Sequence, residues 1–429
     1  MNLAIGLFLA LFVASVPIAA LLGILAFVFA TAFSPLPLIR ALGQVSWDTG
    51  NDFLLVAVPL YILMGEILLR SGIAARTYEG LANWLTWLPG GLMHSNIGVS
   101  ALFAATCGSS VATAATVGTV ALPQRERYGY NERLFLGSIA AGGTLGILIP
   151  PSINLILYGF ITETSVPKLY LAAMVPGIAL ALLFALTIAI ACAIRPRWGG
   201  TTRSVDWRTR ITSLRYLLPP LFLFLLVVGS IYAGLATPTE SAALGVIGAL
   251  FLAILYRTLS LAVLAAAIEN TMRVTGMAML IVVASFFLNF VLSTLGVSQA
   301  LVAYITQLHL PPILLMIALI VVYLALGCVM DPMAMMVTTV PVVGPLVASL
   351  GYDLVWFGIL MVVLSETAMI HPPFGINLFV VQTVRHQGSL NDVIIGAAPF
   401  ILTLLAMIAL LLAWPDIALW LPAHVKGSF

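Results

Sequence analysis

Apolar stretches long enough to cross a bilayer follow one another along almost the whole chain, with polar residues confined to short segments between them. The pattern predicts an all-α polytopic membrane protein, because a helix satisfies its own backbone where water is absent. In order, the expected crossings are 2–15 and 17–33, parted at Pro17, then 53–70, 169–194, 216–236, 239–256, 274–295 and 393–415. The more polar stretches 34–52 and 257–273 read as arms lying in the interface. Residues 76–88 read as a connecting segment closed by Pro89, Gly90 and Gly91.

Four stretches do not fit a plain crossing. Residues 92–122 carry Gly108, Ser109 and Ser110 near their centre, and 134–160 are interrupted from Gly146 to Ser152 by Pro150 and Pro151. In the second half, about 312–341 contain GCVMDP from Gly327, and 354–380 contain Pro372 and Pro373 within IHPPFGIN. Paired prolines remove helix hydrogen bonds and leave carbonyls without donors. Such backbone is tolerated at membrane depth only where protein buries it or where it lines a polar site. The stretches 92–122 and 312–341 therefore read as re-entrant hairpins with polar tips, and 134–160 and 354–380 as broken helices. One such feature alone would read equally well as a packing kink at a crossing of small residues.

Recurrence decides between these readings. Pro89 and Pro311, Gly129 and Gly351, and Pro150 and Pro372 are each 222 positions apart. Asn154 and Asn377, like Pro176 and Pro399, are 223 apart, Gly72 and Gly296 are 224 apart, and Gly108 and Gly327 drift to 219. The chain thus divides into repeats at 1–194 and 216–429 around a linker at 195–215. Interrupted segments at matching places in two halves are the sequence pointer to a transporter's binding site.

Charge sets the orientation. The linker holds Arg195, Arg197, Arg203, Arg208, Arg210 and Arg215 against one acid, Asp206, which places it in the cytoplasm. Counting spans outward puts Arg70, Arg76, Arg125, Arg127, Arg133, Arg257, Arg273 and Arg385 on the same side, and only Arg40, Lys168 and Lys426 outside. Both termini then fall in the periplasm. The GY at 129–130 stands among arginines, while the GY at 351–352 has only Asp353 beside it, so the repeats are expected to be inverted. Trp84, Trp87, Trp198, Trp207, Trp414 and Trp420 lie near expected span ends, where the interface favours indole rings. The first segment lacks a basic start and a clear cleavage site and reads as retained helix.

Composition agrees and excludes other classes. With 62% hydrophobic and 7% charged residues the chain cannot be a soluble globule, and a net charge of +2 with no basic cluster interleaved with aromatics gives no nucleic-acid signal. Cys107, Cys192 and Cys328 show no metal spacing and read as small packing residues.

The candidate chemistry gathers at the hairpin tips and helix breaks. Free carbonyls and Ser/Thr hydroxyls are hard oxygen ligands for a small cation, and free helix N-termini favour an anion. The arrangement reads as a Na⁺-plus-anion site built from Gly108, Ser109, Ser110, Thr113, Pro150, Pro151, Asn154, Gly327, Asp331, Thr367, His371, Pro372, Pro373 and Asn377. Ser109, Ser110 and Asp331 are the expected Na⁺ ligands, and Asp331 is the only carboxylate on either tip. A buried intramembrane charge is functional by default, although a helix cap is the plainer alternative. Asn154 and Asn377 follow the breaks and either cap the next half-helix or bind ligand. His371 reads as a satisfied polar residue rather than a proton relay. Glu366 stands about a turn before the second break and is expected to face the same cavity. Glu66 lies four residues before Arg70 on one helix face and reads as its ion-pair partner. In TPTES (237–241) Thr239 or Glu240 is expected to cap a helix, and Glu163 reads the same way.

The run GGLMHSN…GSSVATAATVG…GSIAAGGTLGILIPPSI…TETSV, with TPTESAALG and PPFGINLF in the second half, resembles the large membrane subunit of tripartite ATP-independent periplasmic (TRAP) transporters, the DctM type. The resemblance covers nearly the whole chain. It implies an elevator-type secondary transporter of the bacterial inner membrane, importing an organic acid (a C4-dicarboxylate, sialic acid or another carboxylate) coupled to Na⁺. It also implies a periplasmic binding protein that delivers the substrate and a small partner membrane subunit. No cofactor is implied beyond the coupling ion. The family's ion and substrate roles carry onto Ser109, Ser110, Thr113, Pro150, Pro151, Asp331, Pro372 and Pro373. One position departs, since the family commonly has Thr where this chain has His371.

Other classes fit less well. A stand-alone Na⁺-coupled anion carrier of related architecture would need no binding protein. An intramembrane enzyme would need a nucleophile with its base, and no histidine lies in a span matching Ser109. A channel would not need two inverted proline breaks.

Overall fold

The computed structural model describes residues 6–7, 10–12, 14–201, 205–307 and 309–425, and every regular element among them is helical. The start of the expected first span, Arg203 and Lys426 lie outside the described residues. Pro17 does part the N-terminal stretch: residues 14–17 form a turn, and α1 (Ile18–Ala32) begins after it. α2 (Leu42–Gly50) lies within the stretch expected as the arm of the first half, and the Asp52 carboxylate caps the short turn that opens the next span. That span continues as α3 (Ala57–Arg70), in which Glu66 and Arg70 pair at 3.2 Å as their spacing requires. The expected connector at 76–88 is itself an amphipathic helix, α4 (Ile73–Leu85).

The first hairpin consists of α5 (Leu92–Cys107) and α6 (Ser110–Tyr128), turning at Gly108 with φ +58°. Its second arm runs past the expected end at 122, because Pro123 is accommodated within the helix and Gly129 supplies the left-handed stop. The first broken helix is α7 (Glu132–Thr144) and α8 (Ile153–Thr162), followed by α9 (Val166–Ile194). The expected loop at 195–215 is partly helical: one continuous helix, α10, spans Trp207–Tyr232. α11 (Pro238–Leu255) follows, and here the expected cap is corrected. Thr237, not Thr239 or Glu240, is the N-cap, with Glu240 closing a capping box onto it. Glu163 likewise ends α8 in a left-handed conformation, and Ser165 caps α9.

The arm expected at 257–273 is not separate. α12 (Leu261–Thr294) runs through it without interruption, since no glycine or proline stands between Leu261 and Arg273 to stop the helix. α13 (Val297–Gln307) leads to the second hairpin, α14 (Pro312–Gly327) and α15 (Pro332–Ser349), whose later arm again outlasts the expected end at 341. The second broken helix is α16 (Leu354–Ile370) and α17 (Ile376–Arg385), and α18 (Leu390–Ala413) and α19 (Asp416–His424) complete the chain. Among the described residues, 7 helices are long and apolar enough to span a membrane. On α9 the residues Ile178, Leu182, Leu186, Ile190 and Ile194 form an exposed apolar stripe at i, i+4 spacing, the face expected to meet lipid.

Two groups of helices pack differently. α1 lies on α12 and α11 on α3, forming a frame in which Tyr61 hydrogen-bonds Ser241 at 2.8 Å. The hairpins and broken helices form the other group, with α7 and α16 at its centre. Every residue of α16 from Trp356 to Ile370 is buried. α7 crosses α18 where Gly137 meets the Gly396 backbone and Gly396 meets the Arg133 carbonyl, so close that neither position has room for a Cβ.

The two broken helices run in opposite directions. Arg385, ending α17, pairs with Glu132 at the start of α7 at 2.7 Å, while Tyr158 near the end of α8 donates to the Leu354 carbonyl at the start of α16 at 2.6 Å. At the Arg385 end, Glu132 also pairs with Arg125, and Asp392 takes Arg133 at 3.0 Å, so four helix ends are clasped together.

Candidate functional site

Each hairpin tip rests on the break of its own half. Gly108 turns the chain so closely over the first break that a Cβ there would stand 3.0 Å from the Pro151 carbonyl oxygen. Gly146 lies equally tight under Ser109, with 2.7 Å from an added Cβ to the Ser109 carbonyl oxygen. In the second half Gly327 has no room for a Cβ against Ala368, and Cys328 Sγ stands 3.5 Å from His371 Nδ1. Small residues at these places let backbone meet backbone, bringing carbonyls and helix ends together.

Four helices therefore begin at the tips and breaks. Ser109 caps α6, accepting from the Ala112 amide at 3.4 Å, and Thr113 turns back to the Ser109 carbonyl at 2.7 Å. Ser152 caps α8 and also donates to the Ile147 carbonyl across the break. Asp331 caps α15, its Oδ1 accepting from the Met333 and Ala334 amides at 3.0 and 3.1 Å. Gly375 begins α17 with no side-chain cap. The asparagines following the breaks are thus not caps. Both are buried, and they point elsewhere.

Asn377 joins the two halves. Its Nδ2 donates to Ser110 Oγ at 2.8 Å and to the Ala140 carbonyl at 3.2 Å, tying the second break to the first tip. Its Oδ1 is buried without a partner, as is Nδ2 of its counterpart Asn154. The packing is reciprocal, with α6 on α17 and α15 on α8. Thr367 is buried and spends its hydroxyl on the Val363 carbonyl at 2.8 Å. No hydrogen bond among the described residues joins Asp331 to Ser109 or Ser110.

Sequence reasoning missed two features. Cys328 is half-buried and paired with His371 instead of being a plain packing residue. A buried chain from Tyr78 to Asn96 at 3.0 Å and from Asn96 to Ser138 at 2.8 Å braces the first hairpin against α7. Polar residues in apolar helices signalled it, but their partners are distant in sequence.

The donors gathered here are hydroxyls, amides and free carbonyls, and among the described residues no three His, Cys, Asp or Glu side chains come together to hold a metal.

Comparison with known proteins bears on the whole chain. The family model described as "Tripartite ATP-independent periplasmic transporter, DctM component" matches residues 5–417. The C4-dicarboxylate TRAP transporter large permease protein DctM of Pseudomonas aeruginosa is 34% identical over 391 residues, 91% of each chain. The ectoine TRAP transporter large permease protein TeaC of Halomonas elongata is 31% identical, covering 86% of each. In fold, the chain is similar to the YdaH transporter of Alcanivorax borkumensis, with a TM-score of 0.64 at 16% identity, over 95% of this chain and 98% of that one. With the family matched from end to end and relatives above 30% identity aligned over most of their length, this multi-pass membrane protein belongs to the tripartite ATP-independent periplasmic transporters, as a large permease component of the DctM type.

Proposed function

We propose that this chain is the transporting subunit of a Na⁺-coupled importer of an organic acid anion, which works with a small membrane subunit and receives its substrate from a periplasmic binding protein. The observation that carries the reading is the Asn377–Ser110 bond at 2.8 Å, which makes one polar locus out of a tip and a break from opposite halves. Antiparallel broken helices and reciprocal α6–α17 and α15–α8 packing support two inverted repeats about that locus. Helix N-termini at Ser110, Ile153, Pro332 and Ile376 supply positive dipole ends for a carboxylate. Hydroxyls and carbonyls of the same loops supply oxygens for Na⁺, with Ser109, Ser110 and Asp331 as its ligands. The separation into a frame (α1, α3, α11, α12) and a bundle of hairpins and broken helices supports an elevator movement of the second against the first. The distribution of basic residues supports the inner membrane, with both termini periplasmic.

Reconstitution tests this reading. In proteoliposomes carrying this chain and its small subunit, uptake of a C4-dicarboxylate or sialic acid requires both a Na⁺ gradient and the cognate binding protein outside. Full uptake without the binding protein would instead support a stand-alone carrier.

A further inference from the structure

Among the described residues, Glu366 is a fully buried carboxyl group, and neither of its oxygens has a hydrogen-bond partner or an ion pair. It lies on α16 about one turn before the second break, where every neighbour along the helix is also buried. The helices packed on α16 are α7, α8, α9, α14, α15, α17, α18 and α19, and their titratable groups are engaged or placed elsewhere. Glu132, Arg133, Arg385 and Asp392 belong to the clasp at the far end of α7. Tyr158 is taken by the Leu354 carbonyl, Tyr323 by Thr339, and Asp331 by two amides at the start of α15. Cys328 and His371 contact each other. Lys168, Tyr170 and Cys192 of α9, and Asp416 and His424 of α19, form no bond or ion pair with Glu366.

An ionised carboxylate with neither a basic side chain nor a donor beside it is costly in a low-dielectric interior, whereas a neutral acid is far less so. The position 222 earlier, the offset that relates the flanking pairs Gly129–Gly351 and Pro150–Pro372, is Thr144, which is also buried but spends its hydroxyl on the Ala141 carbonyl at 2.8 Å.

We propose that Glu366 is a proton-binding site: a carboxylic acid held neutral beside the second break, whose ionisation disturbs that break and gives uptake a proton dependence alongside Na⁺. The effect on uptake rests on the transport reading above, while the protonation itself does not.

Infrared spectroscopy of the purified protein at neutral pH tests the protonation directly. Wild type shows the carbonyl band of a neutral carboxylic acid, unchanged by saturating Na⁺ and missing from Glu366→Gln. If Glu366→Gln fails to accumulate, Glu366→Asp serves instead, and the band must shift in frequency. Absence of the band from wild type, or its loss when Na⁺ is added, overturns the proposal, the latter making Glu366 a cation ligand. In proteoliposomes, wild-type uptake falls about tenfold per pH unit once the acid ionises, while Glu366→Gln stays flat. Equal pH dependence in both overturns the link to uptake, and absence of uptake from wild type leaves the infrared result to decide on its own.

Discussion

At the scale of single residues, Asp331 shows how one side chain can hold two positions in the argument. Its Oδ1 caps α15, the plainer alternative that the sequence offers, and that geometry leaves the carboxylate's charge unexplained. Asparagine caps a helix about as well as aspartate. Asp331→Asn should therefore fold and assemble with stability changed by under about 0.5 kcal/mol, while Na⁺-driven uptake collapses, as thermal melts and uptake by the same preparation would report. Wild-type uptake by this variant would reduce Asp331 to its cap. Ser110, Asp331 and the asparagines stood out in the sequence because polar residues inside apolar runs need a reason. The bond between Ser110 and Asn377 was not legible, since it spans 267 positions and no local pattern encodes it. The isolation of Glu366 is equally invisible in sequence, being a property of what surrounds it.

At the scale of elements, breakers were the readable signal. Gly108, the proline pairs and Gly327 marked tips and breaks because each removes a helical option locally. Helix lengths were less readable wherever the chain lacks a breaker, as in the fusion of the 257–273 arm into α12, or where a proline is absorbed, as in α6. Close crossings were hidden too, because a glycine in an apolar helix does not name the helix it faces. Gly396 is the sharpest case, pressed onto the Arg133 carbonyl where α18 crosses α7. Gly396→Ala must part these helices and should cost about 1–3 kcal/mol, lowering the midpoint of thermal unfolding in detergent. An unchanged midpoint would mean that the crossing is looser than described.

At the scale of the whole molecule, inverted repeats require opposite exposure of corresponding loops. In a cysteine-free background, Gly129→Cys should label with a membrane-impermeant thiol reagent from the cytoplasmic side and Gly351→Cys from the periplasmic side. Labelling of both from one side would remove the inverted repeat. The clasp of Arg125, Glu132, Arg133, Arg385 and Asp392 fits this layout, because it gathers basic residues expected on the cytoplasmic face at a single end of the molecule. The central claim, that the first tip holds Na⁺ where the second break meets it, is tested most directly by equilibrium binding of radioactive sodium to the purified transporter. Wild type should bind Na⁺ saturably, and Ser110→Ala, which removes one hard oxygen from the site, should weaken binding by about tenfold or more. Sodium binding by Ser110→Ala equal to that of wild type would contradict it.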